Sequence, residues 1–139
     1  MSVPPLLLDT CTFLWLVMDE PLNPDAVSLL AAVSHEGVAT FISPISAWEI
    51  GMLTAKRRLN LSVAVQRLFI GALEQKAIRL ATLTPELLIE SWFLPGKPPR
   101  DPADRIIAST ARNLGCRLLT RDRELLDYGE QGYISVVEC

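Results

Sequence analysis

The chain has 139 residues, 50% of them hydrophobic, with a formal net charge of −3 and a mean hydropathy of +0.29. That length suits a single domain over residues 1–139 with a substantial core, and no apolar run approaches the roughly 20 residues of a membrane span. A pI near 5.1 argues against a protein that coats nucleic acid by bulk charge, and three cysteines (Cys11, Cys116, Cys139) beside one histidine indicate neither a disulfide framework nor a zinc site.

The opening Met1-Ser2-Val3-Pro4-Pro5 lacks the basic region of a signal peptide, so a cytoplasmic protein is expected. Leu6-Leu7-Leu8 then reads as a fully buried strand that ends in Asp9-Thr10. Residues 12–18 form a short apolar helix, and Asn23-Pro24 opens another that runs to about His35 and stops at Gly37. His35, near that helix's C-terminus, is a dipole-complementing surface residue.

Residues 38–43 read as a second strand, followed by a helix from Pro44 to about Arg58. Ser46-x-x-Glu49 matches a capping box, which would turn Glu49 back onto the backbone. Pro44 equally allows Ser43 as N-cap, leaving Glu49 one turn inside and free to face a cleft, with Lys56 further along the same face. Residues 62–75 are an amphipathic helix, 78–83 a third strand, and Thr84-Pro85-Glu86 opens a helix to about Phe93, whose Trp92 and Phe93 read as core rather than as a base-stacking platform. Pro95-Gly96-Lys97-Pro98-Pro99 is a stiff connector.

It delivers the chain to Arg100-Asp101-Pro102-Ala103-Asp104-Arg105, where Asp101 is placed as N-cap, Pro102 as first helical residue and Gly115 as the closing one. On that helix Asp104 lines up with Ala108 and Ala111 and so points toward the protein. Its bland role is to complement the helix dipole, worth about 0.3 to 1 kcal/mol; its functional role is that of a carboxylate needing a cation, because an unpaired buried charge is costly. Residues 116–119 form a strand leading to Thr120-Arg121-Asp122, a helical turn reaches Tyr128, and residues 133–137 supply a last strand.

Strands alternating with helices predict an α/β protein, a three-layer α/β/α sandwich with a mainly parallel central sheet whose ligand site lies at the carboxyl ends of the strands. Asp9 and Asp122 fall at such ends, and Glu49 and Asp104 fall in first helical turns that leave or return to that edge. Four carboxylates without a histidine partner would repel one another unless a hard cation sat between them, and oxygen-only ligands suit Mg²⁺ or Mn²⁺. Such an ion can acidify a water and neutralise charge on a phosphoryl group. Thr10 and Thr120 are placed behind the ligands as hydroxyl donors. Lys56, Arg57, Arg105 and Arg121 are candidates to hold the phosphate backbone of a nucleic-acid strand.

The same residues resemble a family, the PIN-domain ribonucleases, and among them the VapC-type toxins of bacterial toxin–antitoxin pairs. Leu6-Leu7-Leu8-Asp9-Thr10 is similar to the family's first motif, Ser46-Ala47-Trp48-Glu49-Ile50 to its second, Asp101-Pro102-Ala103-Asp104-Arg105-Ile106-Ile107-Ala108 to its third and Leu119-Thr120-Arg121-Asp122 to its fourth. The resemblance implies metal binding and catalysis by Asp9, Glu49, Asp104 and Asp122 in a metal-dependent endoribonuclease. It also implies a homodimer neutralised by a small antitoxin protein that inserts a segment into the groove. Two rivals stand beside this reading: a catalytically silent PIN-like module that binds RNA or protein, and a phosphatase with Asp9 as nucleophile, for which Cys11 occupies the place where a second acid is usual.

Overall fold

The computed structural model describes residues 3–75 and 78–139, with Gln75 described by its backbone only; Met1 and Ser2 of the opening stretch lie outside the described residues. Chain order is β1 (Leu6–Leu8), α1 (Thr10–Val17), α2 (Pro24–His35), β2 (Thr40–Ile42), α3 (Pro44–Ala55), α4 (Val65–Gln75), β3 (Ile78–Leu80), α5 (Pro85–Glu90), α6 (Pro102–Leu114), β4 (Arg117–Thr120), α7 (Arg123–Glu130) and β5 (Ser135–Glu138). The helices start where polar caps meet proline. Asn23, Ser43, Thr84 and Asp101 each cap a helix whose first residue is proline, and each side chain accepts from a backbone N–H that the helix leaves without a partner. Gly115 ends α6 at φ +64, a left-handed geometry that glycine adopts at little cost.

The strands pair in the order β3-β2-β1-β4-β5, every pair parallel. β1 sits in the middle, with Leu7 opposite Phe41 on one side and Leu118 on the other. Its three leucines are fully buried, as a strand covered on both faces requires. Leu6, Leu8, Ile42 and Leu119 face a core made with α1 to α4 through Phe13, Ala26, Val33, Ile50 and Phe69. Leu7 and Leu118 face a second core with Ile107 and Ala108 of α6 and Leu125 and Tyr128 of α7. Two cores on opposite faces of one sheet make the three-layer α/β/α sandwich expected, with a sheet that is wholly rather than mainly parallel.

The observed strands are shorter than the apolar runs. β2 stops where its three-residue register with β1 stops, and β3 where its three-residue register with β2 stops, so residues 38–39 and 81–83 lie outside them. Trp92 and Phe93 correct the sequence reading outright: α5 ends at Glu90, the chain turns, and the two rings are 61% and 80% exposed instead of joining the core. The connector after them is pinned to the second layer. Tyr128 Oη donates to Pro95 O at 2.7 Å, Lys97 N donates to Gln131 Oε1 at 2.8 Å, and Arg100 Nε donates to Glu124 Oε1 at 3.0 Å. Gly96 is required here: φ is +70 and a Cβ would run into the Tyr133 ring. Among the described residues no helix is long and apolar enough to cross a membrane.

Candidate functional site

The carboxyl edge of the sheet is where β1 and β4 hand over to α1 and α7. Asp9, the residue after β1, caps α1: its Oδ1 accepts from Thr12 N at 2.8 Å. Its backbone N donates to Leu119 O at 3.2 Å, which fastens it to the end of β4. Asp122 caps α7 in the same way, Oδ2 accepting from Leu125 N at 3.0 Å. Between them stands Thr120, fully buried, whose hydroxyl donates to Asp9 Oδ2 and accepts from Asp122 N at 3.0 Å. One threonine thus ties the two strand ends together.

Glu49 arrives on α3. Ser43 rather than Ser46 is the N-cap, its Oγ accepting from Ile45 N at 3.1 Å, so the capping-box alternative does not form and Glu49 faces inward from the second turn. Its Oε1 accepts from the Thr10 hydroxyl. Thr10 Oγ1 in turn lies 2.8 Å from Ser46 Oγ. Asp104 sits in the first turn of α6, half-buried, behind the N-cap Asp101, whose Oδ1 accepts from Ala103 N at 3.3 Å. The four acids therefore come from the ends of β1 and β4 and from α3 and α6; Thr120 joins Asp9 to the backbone of Asp122, and Thr10 holds Glu49.

Electrostatics report how near the fourth is. The Asp104 carboxyl is pushed up to about 8, first by burial and then by Asp101, Asp122, Glu49 and Asp9. The dipole of α6 pulls the other way by about 0.3 to 1 kcal/mol, and burial with repulsion wins. Asp9 and Glu49 are also raised, mainly by burial; the threonine hydroxyls pull both back down, while Asp122 adds to the rise at Asp9, and Asp101 and Asp9 add to it at Glu49. The exposed Cys11, in the first turn of α1, feels all four acids, and its thiol is pushed up to about 11 by desolvation and then by their charge. Among the described residues no three acid, histidine or cysteine side chains stand close enough to enclose a metal ion as placed.

The basic residues divide. Lys56 and Arg57 follow α3 and are exposed. Arg57 takes a left-handed φ of +56 in closing that helix, with Arg58 N donating back to Leu53 O at 2.9 Å. Arg105 is half-buried, its guanidinium carbon 5.3 Å from the Trp92 ring centroid and its Nε buried with no partner among the described residues. Arg121 serves the fold: it stacks 4.1 Å from the Trp15 ring centroid and donates to Pro21 O at 3.1 Å and Cys139 O at 3.0 Å. The pairing of Ser46 with Thr10 was not legible in the sequence, where the spacing of Ser46 to Glu49 suggested only a cap; the Ser43-Pro44 pair is the local signal that releases Ser46 from that role.

The sequence matches the family model described as PIN domain over residues 6–131. It is 34% identical over 107 residues to Ribonuclease VapC22 of Mycobacterium tuberculosis (strain ATCC 25618 / H37Rv), spanning 74% of this chain and 78% of that one. Two solved structures share the fold. One is VapBC2 from Rickettsia felis bound to a DNA fragment from its promoter, at TM-score 0.67 and 13% identity over 96% of this chain and 98% of the other. The second is FitAcB from Neisseria gonorrhoeae, at TM-score 0.56 and 20% identity over 94% and 95%.

Proposed function

The chain belongs to the PIN domain family, and from that premise we propose that it is a metal-dependent endoribonuclease, the toxin of a toxin–antitoxin pair, acting in the cytoplasm. The observation that carries the reading is the pair of threonine links at the sheet edge, Thr120 joining Asp9 to Asp122 and Thr10 holding Glu49. A structural carboxylate needs one such arrangement; three acids from remote segments brought to one edge, with Asp104 repelled by all of them, need a common purpose.

The donor set fits a hard divalent cation. Asp9, Glu49, Asp104 and Asp122 offer oxygen only, and the raised carboxyls of Asp9, Glu49 and Asp104 mark a place where positive charge is favourable. Mg²⁺ or Mn²⁺ held there would supply Lewis acidity, acidifying the attacking water and neutralising charge on the phosphoryl oxygens. The chain supplies positioning. Thr120 orients Asp9, Thr10 orients Glu49, and Lys56, Arg57 and Arg105 draw in the phosphate backbone. Arg121 is left out of that group because its guanidinium is engaged by two carbonyls and a ring.

Asp9 as a phosphatase nucleophile is disfavoured because Cys11 stands where a second acid two residues on is usual. A small antitoxin is the proposed partner, in line with the two-component assemblies that share the fold, and the active form is proposed to be a homodimer. Purified protein is expected to cut single-stranded RNA with Mn²⁺, to leave 5′-phosphate and 3′-hydroxyl ends, and to lose cleavage in EDTA or on Asp9→Asn. Cleavage that survives EDTA, or leaves 2′,3′-cyclic phosphates, overturns the reading.

A further inference from the structure

Ser46 is fully buried in the first turn of α3, three residues before Glu49 and so on the same face. A buried hydroxyl must be satisfied, and this one is spent on neither the cap nor solvent: Ser43 holds the cap, and Ser46 Oγ lies 2.8 Å from Thr10 Oγ1. Proton counting then fixes the direction. A threonine hydroxyl carries one hydrogen, and that of Thr10 is given to Glu49 Oε1. Ser46 must therefore donate to Thr10, and the chain runs Ser46 to Thr10 to Glu49.

We propose that Ser46 is a positioning residue for Glu49, acting through Thr10: its donated hydrogen bond occupies a lone pair of Thr10 and leaves the Thr10 proton aimed at Oε1. The proposal rests on the reading of Glu49 as a cation ligand. Hydrogen bonds in series in a low-dielectric site polarise one another, so loss of the first weakens the second. Residues that orient a ligand cost roughly 10- to 100-fold in metal affinity when removed. Ser46 stands one step further back, which puts its removal near the lower end.

The test is Mn²⁺ binding by calorimetry, with EDTA-treated protein melted in parallel, on wild type, Ser46→Ala, Thr10→Val, the double variant, Thr10→Ser and Glu49→Gln. Ser46→Ala is expected to weaken Mn²⁺ binding about tenfold. Thr10→Val weakens it at least as much, the double variant no further than Thr10→Val, and Thr10→Ser, which keeps the hydroxyl, stays near wild type. A serine that merely fills space would lower the metal-free melting temperature and leave the Mn²⁺ Kd alone. An unchanged Kd in Ser46→Ala beside a weakened Glu49→Gln overturns the inference and spares the reading beneath it, as does full additivity in the double variant, which would mean that Ser46 does not act through Thr10. Wild-type Mn²⁺ binding by Glu49→Gln overturns the role of Glu49 itself.

Discussion

Replacing Asp104 with asparagine removes one charge at nearly constant shape, and its effect on stability is set by the carboxyl pushed up to about 8 in the folded protein from an ordinary value of 3.8. Below pH 4 both folded and unfolded states carry the proton, and wild type and variant are equivalent there. As pH rises from 4 to 8 the unfolded state releases the proton while the folded state keeps it, so wild-type stability falls across that window and levels off above it. At 1.36 kcal/mol per pH unit the full displacement is about 6 kcal/mol. Asp104 is only half-buried, and solvent screening reduces the effective penalty to about 2 to 3 kcal/mol. At roughly 3 °C per kcal/mol for a chain of this size, Asp104→Asn is expected to melt about 6 to 9 °C above wild type at pH 8 in EDTA, with the gap closing towards pH 4. Adding Mn²⁺ at a hundredfold excess over its Kd should stabilise wild type by about 2.7 kcal/mol and the variant by far less. Thermal melts over this pH range, with EDTA and with Mn²⁺, read all of it. A variant that melts below wild type at every pH and answers Mn²⁺ equally would show that Asp104 only complements the dipole of α6, and the reasoning would fail.

Thr120→Val keeps the shape but strips Asp9 Oδ2 and Asp122 N of their shared partner, so urea unfolding should show a loss of about 1 to 3 kcal/mol, and an unchanged midpoint would refute the bridge. Arg57→Gly relieves a left-handed φ of +56 at the end of α3 and should gain about 1 kcal/mol, whereas Arg57→Ala should gain nothing. Arg121→Ala is expected to lose about 1 to 2 kcal/mol of stability with no change in the salt dependence of RNA binding. Lys56→Ala should do the opposite, flattening that dependence with stability kept, and isotherms at several salt concentrations on uncleavable RNA separate the two.

What could be seen in the sequence was what short-range chemistry decides. Asp101-Pro102 and Gly115 bound α6 because a cap, a fixed φ and a left-handed residue act within a few positions, and the same logic placed the starts of α2, α3 and α5. The places of Asp9, Asp104 and Asp122 were legible for a related reason, each standing where a strand ends or a helix begins, whereas Glu49, expected in a first turn, stands in the second turn of α3. Strand lengths were not legible, because residues 38–43 carry no residue that marks a strand end before Pro44, yet they pair only over Thr40–Ile42. Trp92 and Phe93 were misread because composition says what a side chain prefers and not whether the helix carrying it has already ended. Arg121 and Ser46 depend on Pro21, Cys139 and Thr10, partners remote in sequence whose approach only the sheet order creates.

The central place of β1, with β2 on one flank and β4 on the other, has a bearing on when this protein becomes active during its own synthesis. A growing chain that has just completed β3 already holds Asp9 and Glu49, but one edge of β1 has no strand beside it and Thr120 has not yet been made. Joining the two halves means aligning Leu6–Leu8 with residues 117–119, parallel strands separated by more than a hundred positions, and pairing over such a separation is slow. The acid edge is therefore among the last features to form. Until β4 docks, Asp9 and Glu49 stand at that edge without Asp122 and without the hydroxyl of Thr120 that orients Asp9, so the acid set is incomplete throughout the interval.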